Sequence, residues 1–217
     1  MPLQLIPLVA GGVVLLIGVI GAAMLARKLA GKRVAILGRQ RVGKSTILHL
    51  LQHGKIPEAS EVSETVDPAQ GGHFKLEIGG KAVDFAVPED VPGNDGLAYA
   101  DWKKAFTGAD YLWYLFRSDL IALGDDAESQ LVDEHLTMFK TWIDDAGAHV
   151  PRIILIGTHA DMDPGFRKNA STFAKKVIAA HPIKIGQVML NNAGVIVGSL
   201  FENDDAKKLI NSLRSRL

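Results

Sequence analysis

Eight residues carry the first chemistry. Gly38-Arg39-Gln40-Arg41-Val42-Gly43-Lys44-Ser45 fits the pattern GxxxxGK[ST] and stands between a short apolar run at 33–37 and a helically spaced run at 45–53. Strand, glycine loop and helix, in that order, are the setting in which this pattern cradles phosphates. Gly38 and Gly43 let the backbone wrap a phosphate with its N–H groups, and the helix N-terminus adds positive potential. In such a cradle Lys44 contacts the β and γ phosphates and the Ser45 hydroxyl ligates Mg²⁺. Arg39, Gln40, Arg41, Val42 and Thr46 complete the candidate nucleotide-contacting set of this loop. The competing reading is an ordinary glycine turn capped by Ser45.

Two further segments follow predicted strands. Asp90-Val91-Pro92-Gly93 comes after the run at 81–87. An Asp in that place can hold Mg²⁺ through water, and the Gly93 N–H can reach a γ-phosphate. Asp, Pro, Gly and Asn also make any surface turn, so it is the order after the glycine loop that favours the functional reading. Thr158-His159-Ala160-Asp161 comes after the run at 152–156. The Asp161 carboxylate can accept from both donors on one edge of guanine, which adenine lacks, and so selects GTP over ATP. An Asp capping the next helix is the alternative, and Asp163-Pro164 fills that place better.

With GRQRVGKS, DVPG and THAD, residues 33–217 resemble the Ras-like P-loop GTPases. THAD in place of the usual NKxD is similar to the Roc-type branch, and a single N-terminal span ahead of a small GTPase domain is similar to the signal-recognition-particle receptor β subunit. The resemblance implies GTP or GDP and Mg²⁺ as cofactors. It implies slow GTP hydrolysis in a conformational switch that recruits or regulates a cytoplasmic partner. The alternative is a non-hydrolysing, nucleotide-binding membrane scaffold. It also implies a switch I threonine that ligates Mg²⁺, for which Thr65 stands in the right interval, with Ser60 and Ser63 as fallbacks. A last loop in the family places N–H groups on the guanine oxygen, and Gly198-Ser199-Leu200 is its counterpart. Three departures matter. Asn94 stands where the family has a Gln that orients the attacking water, so Lys44 and Asn94 are the catalytic candidates and intrinsic turnover is expected to be slow. Arg39, Gln40 and Arg41 replace small residues, with solvent-facing side chains as the default and crowding of the γ-phosphate or a cation supplied in cis as alternatives. His159 replaces a Lys and can stack beside ribose and base, without being a permanent cation.

These residues need a scaffold. Runs at 33–37, 73–78, 81–87, 111–116, 152–156 and 195–197 read as strands, with helical patterns at 45–53, 98–106, 128–146, 167–180 and 204–217. Strands alternating with helices predict an α/β fold with a doubly wound, mainly parallel sheet and ligands at the C-terminal strand ends. Gly79-Gly80 predicts a hairpin that adds one antiparallel edge. Residues 187–190 are ambiguous and could pair with 195–197. His49 and His53, spaced i, i+4 but lacking a third ligand, read as a solvated face. Asp125, Asp126 and Glu128 read as an acidic helix start, and Trp102, Trp113 and Trp142 as packing residues.

Composition sets the remaining bounds. The chain has 217 residues, 24 Lys+Arg against 24 Asp+Glu, no Cys and a mean hydropathy of +0.14. Balanced charge gives no footprint for nucleic acid, and zero Cys excludes disulfides, thiolate metal sites and a cysteine nucleophile. Residues 3–26 carry no charged side chain, and at about 1.5 Å per residue they reach about 36 Å, enough to cross a bilayer core of about 30 Å. Arg27, Lys28, Lys32 and Arg33 follow this stretch. That placement predicts an uncleaved anchor with its N-terminus outside and its C-terminal part cytoplasmic. The expected division is a transmembrane anchor over 1–30 and a nucleotide-binding domain over 31–217. Residues 1–30 hold two cations and no anion, which leaves the domain with 22 cations against 24 anions.

Overall fold

The structure is a computed structural model that describes residues 24–25, 27–57, 72–78, 80–88, 96–145, 147 and 149–217. One sheet contains β1 (Arg33–Leu37), β2 (Gly72–Ile78), β3 (Lys81–Val87), β4 (Tyr111–Arg117), β5 (Arg152–Thr158) and β6 (Gly194–Val197), in the order β2-β3-β1-β4-β5-β6. β1, β3, β4, β5 and β6 run parallel. β2 is the antiparallel edge, with Ile78 opposite Lys81 and Gly72 opposite Val87. The mainly parallel, doubly wound α/β sheet and its single hairpin edge are as the sequence predicts.

Parallel strands covered on both faces read as unbroken apolar runs. Leu112 to Phe116 of β4 are accordingly all buried. Alternate residues serve opposite faces. Leu112, Tyr114 and Phe116 join a core with Trp102 and Phe106 of α2 (Gly96–Thr107), Phe139 and Trp142 of α4 (Asp126–Asp145) and Phe173 of α6 (Ala170–Ala179). Trp113 and Leu115 join the other core, with Ile47 and Leu51 of α1 (Lys44–His53) and Leu209 and Leu213 of α8 (Asn203–Arg216). All three tryptophans are packing residues. Leu25 and Leu29, both 0% exposed, belong to this second core, so the residues just ahead of β1 are part of the folded domain.

Three expectations change. Residues 187–189 lie in α7 (His181–Met189) and do not pair with β6. Gly186, a weak helix former, sits where α7 crosses α4, and a Cβ there would lie 2.2 Å from Leu136 Cδ1. The glycine that blurs the helical signal is thus required by helix-on-helix contact. The pattern at 167–180 divides into α5 (Pro164–Lys168) and α6, because the Asn169 side chain accepts from the Thr172 N–H at 2.9 Å and starts a new helix. His49 is buried at 5% exposure, its ring 4.4 Å from that of His53, and is no solvated face. α1 buries five consecutive residues, 47–51, so it is covered on more than one side.

The anchor predicted over 3–26 falls almost wholly outside the described residues. Among the described residues no helix is long and apolar enough to cross a membrane.

His135 of α4 is buried, its Nδ1 is 2.8 Å from the Tyr114 hydroxyl, and burial lowers its pKa to about 4. The unfolded chain takes up this proton near pH 6.5 and the folded chain only near 4, so unfolding gains a proton between those values. The His135 contribution is therefore complete above pH 6.5 and falls by up to about 3 kcal/mol as the pH drops toward 4. Urea unfolding of the full chain in mild detergent at several pH values should show this loss, and His135→Gln should flatten that part of the profile.

Candidate functional site

β1 and β5 end on the same side of the sheet, β5 running from Leu155, level with the end of β1, on to Thr158, and the loops leaving them meet in a cleft of about 410 Å³. Arg41, Gly43, Lys44, Ser45 and Thr46 line one side, and His159, Asp161, Met162, Leu200 and Phe201 the other. The glycine loop and the THAD segment, 112 or more positions apart in the chain, thus share one pocket.

The loop after β1 takes its shape from two glycines. Gly38 has φ 146°, and a Cβ on it would come 2.5 Å from the Leu115 carbonyl oxygen. No side chain fits between the loop and β4. Gly43 (φ 93°) precedes α1, whose first turn carries no acidic residue and no side-chain cap. The first N–H groups of α1 are therefore the donor set that an anion at a helix N-terminus uses. Lys44, 6% exposed, donates from Nζ to the carbonyls of Gly38 (2.7 Å) and Arg39 (2.9 Å), holding an ammonium at the centre of the loop. Ser45 is exposed at the cleft, Gln40 is exposed, and the Val42 side chain is buried in the core.

Arg39, its side chain 37% exposed, is held by an ion pair. Its Nη2 lies 2.9 Å from Oε2 of Glu128, whose side chain is 2% exposed. Oε1 of the same carboxylate accepts from the Arg117 N–H at 3.0 Å. Burial raises the Glu128 pKa, while the Arg117 N–H and the Arg39 and Arg117 charges oppose the rise. A buried carboxylate thus ties the glycine loop to α4 and to the end of β4. Glu128 is more than a helix-start charge, because α3 (Ser118–Leu123), a short helix the spacing did not predict, turns the chain so that the first turn of α4 faces the loop. Asp125 takes the capping place, accepting from the Glu128 N–H at 2.8 Å.

Thr158, a candidate nucleotide contact, is 0% exposed and lies behind the cleft. Its hydroxyl is 2.9 Å from the Val42 carbonyl and 3.2 Å from that of Phe116, and its own carbonyl accepts from Ser118 Oγ at 2.6 Å. The single hydroxyl proton is spent on carbonyls. The His159 Nδ1, 2.9 Å from the same oxygen, must then be the donor in that contact, which leaves Nε2 as the acceptor nitrogen. His159 has φ 58°. Burial first and the Arg117 charge second lower its pKa, so the ring facing the cleft is neutral at physiological pH.

Asp161 is the middle residue of a short turn of 3₁₀ helix over Ala160–Met162, and the cap of the following helix is Asp163, which accepts from the Gly165 N–H. Oδ1 of Asp161 accepts from Ser199 Oγ at 2.5 Å, and the same Oγ accepts from the Phe201 N–H at 3.0 Å. Ser199 is itself 0% exposed, so its side chain orients the carboxylate from behind while Leu200 forms the wall. The 198–200 loop is fastened to the THAD segment by Gly198 N–H to Gly157 O (2.9 Å) and Ala160 N–H to Gly198 O (3.3 Å). Thr65, Asp90, Gly93 and Asn94, the remaining metal, phosphate and water-orienting candidates, lie outside the described residues. Met162 and Phe201, 63% and 68% exposed at the cleft, carry no motif, and only their nearness to Asp161 and Ser199 in the chain marked them.

The sequence matches no protein-family description and no curated protein. Solved structures do match in fold. SsGBP in complex with GDP superimposes with a TM-score of 0.52 at 13% identity, over 85% of this chain and 49% of that one, so the chain spans about half the length of SsGBP. The ADP-ribosylation-factor-like GTP-binding protein, small COPII coat GTPase SAR1, from Encephalitozoon cuniculi in complex with GDP superimposes with a TM-score of 0.52 at 14% identity, over 95% of this chain and 90% of that one. The likeness establishes the fold, a six-stranded, mainly parallel α/β sheet.

Thr158→Val keeps the volume but strands the Val42 carbonyl at a buried site. It should cost about 1–3 kcal/mol in urea unfolding. Gly38→Ala, which meets backbone on β4, should cost at least as much.

Proposed function

We propose that the chain is a membrane-anchored small GTPase that binds GTP and GDP with Mg²⁺ in this cleft, hydrolyses GTP slowly, and uses the two nucleotide states as a switch to recruit or regulate a cytoplasmic partner. One observation carries the reading: an uncapped helix N-terminus with a central lysine and a carboxylate oriented by a buried serine open into the same pocket.

Each part has a task. The N–H groups opening α1 and the Lys44 ammonium suit the charge of a polyphosphate, and the two loop carbonyls that hold Lys44 keep it in place until a stronger acceptor arrives. The Asp161 carboxylate, with Oδ1 bound to Ser199, suits the paired donors of guanine. Neutral His159 and the apolar Leu200 and Phe201 suit a flat ring. The cleft is large enough for a nucleotide to be mostly buried. Ser45, with Thr65 and Asp90, gives the hard oxygen donors that Mg²⁺ requires. When bound, the metal neutralises charge on the phosphates. The Arg39 guanidinium is committed to Glu128, which argues against a cation supplied in cis from that residue. Asn94, one methylene shorter than Gln, is the proposed water-orienting residue, and its short reach is the reason for slow turnover.

Residues 3–26 are proposed as the anchor. Leu25 is buried in the domain, so the lipid-immersed part ends before it. Residues 3–23 still reach about 31 Å as a helix.

Isothermal titration of the full chain in detergent with Mg²⁺ should give binding of GDP and GTP well ahead of ATP. Lys44→Ala should lose at least about a hundredfold in affinity for guanine nucleotides. Asp161→Asn should lose about ten- to a hundredfold for them and little for ATP, since it removes charged hydrogen bonds to the base alone. Absence of heat with either triphosphate would overturn the proposal. In the same preparation, multiple GTP turnover abolished by Lys44→Ala supports the enzyme, and nucleotide held one-to-one without turnover supports a non-hydrolysing scaffold.

A further inference from the structure

The end of the domain opposite the cleft has a different chemistry. The cleft lies at the C-terminal ends of the parallel strands. Their N-terminal ends gather cations. Lys32 precedes β1, Lys81 begins β3, Arg216 lies beside Gly194 at the start of β6, and Arg214 lies beside the segment that enters β1. That segment adds Arg27 and Lys28. The carboxylates at this end include Asp110 and Asp84, each matched by a cation, Asp144 and Asp145 at the end of α4, paired with Lys140 and Lys103, and Glu77 of β2, opposite Ala82. Lys32 is 3.1 Å from Asp110, and Arg33 is 3.5 Å from Asp84. Arg27, Lys81 and Arg216 make no ion pair among the described residues. A domain with a small net negative charge therefore carries a positive end. α8 shows the polarity in one element, with Asp204 and Asp205 in its first turn and Arg214 and Arg216 in its last.

The segment entering this end is fastened and does not swivel freely. Leu25 and Leu29 are 0% exposed. Lys28 Nζ donates to the Arg214 carbonyl at 3.0 Å, and Arg214 Nη1 approaches Met24 Sδ at 3.3 Å. The first described residues, Met24 to Lys28, thus lie against Arg214 at the basic end.

We infer that the strand-N-terminal end of the domain seats on an anionic phospholipid surface, with Arg27, Lys81, Arg214 and Arg216 against the headgroups and the nucleotide cleft turned away from the bilayer. The inference rests on the anchor proposed above. A positive juxtamembrane surface is attracted to anionic leaflets by a contribution from each cation near the surface. The rigid joint through Leu25 and Leu29 converts that attraction into a fixed orientation. The cleft then faces the solution, where a partner has access to it.

The absence of cysteine makes the test direct. The full chain is reconstituted into neutral phosphatidylcholine vesicles, and into vesicles with about one-third phosphatidylserine, with a fluorophore on Ser215→Cys at the basic end or on Ala127→Cys at the opposite end. Quenching by nitroxide-headgroup lipid is read for each. Strong quenching at position 215, weak at 127, rising with phosphatidylserine and falling about tenfold in apparent surface affinity with Lys81→Glu/Arg216→Glu, is the expected result. The Lys81→Arg/Arg216→Lys variant should match the parent, and circular dichroism should show both variants folded. Equal quenching at the two positions, or no response to lipid charge, would overturn the inference. So would displacement of the basic end from the membrane by a short RNA at concentrations that leave the lipid contact of residues 3–23 intact, since the face would then be a nucleic-acid surface. Failure of the anchor is seen separately, as full-length chain that does not float with vesicles after carbonate washing. Without salt-sensitive binding to anionic vesicles in that case, the inference falls too.

Discussion

One buried hydroxyl group holds the candidate site together. Thr158 sits at the end of β5 with its side chain against the carbonyl of Val42 in the glycine loop and its own carbonyl on Ser118 at the end of β4. Three chain segments far apart in sequence are fixed relative to one another at a point with no access to water. Each of these polar groups would be costly if left unpaired there, which makes the arrangement specific. The glycine-loop side and the His159–Asp161 side of the cleft depend on it for their relative position.

A second tie acts from the other side. Glu128 is a carboxylate taken almost wholly out of water, and such a group is tolerated when charge and hydrogen bonds compensate it. Arg39 and the Arg117 N–H supply both. The result couples the glycine loop to α4, the longest helix described, and removes Arg39 from the cleft. A charged loop that reads as unusual beside the small residues of similar proteins is thus in part structural. Arg41 and Gln40, both exposed, are the side chains of that loop turned to solvent, and Arg41 lines the cleft with φ 61°. A left-handed backbone at a residue other than glycine is a cost that the surrounding loop must hold.

Much of the fold was legible because its signals are local. Apolar runs broken by glycine and separated by helical spacing announced a parallel sheet, and Gly79-Gly80 announced its antiparallel edge. The glycine loop was legible for the same reason, since eight consecutive residues contain its geometry. What escaped reading depended on neighbours brought from afar. Gly186 weakened the signal of α7 because its meaning is contact with Leu136. His49 looked solvated because nothing in its own helix tells that α1 is covered on several sides. Thr158 looked like a ligand contact, although its hydroxyl turns inward.

The sequence by itself determined the groups available: a glycine loop ending in Lys44 and Ser45, the Asp161 carboxylate after a strand, a chain without thiols, and a long apolar stretch followed by cations. These follow from residue type and short-range spacing, which a chain carries whether folded or not. Only the tertiary structure decided which of those groups share a cleft, that Ser199 steers Asp161, that Glu128 claims Arg39, and that Lys32, Lys81, Arg214 and Arg216 collect at the end opposite the cleft. Those are facts of distance and burial, and they arise when the sheet closes segments separated by tens to more than a hundred residues and water leaves the space between them.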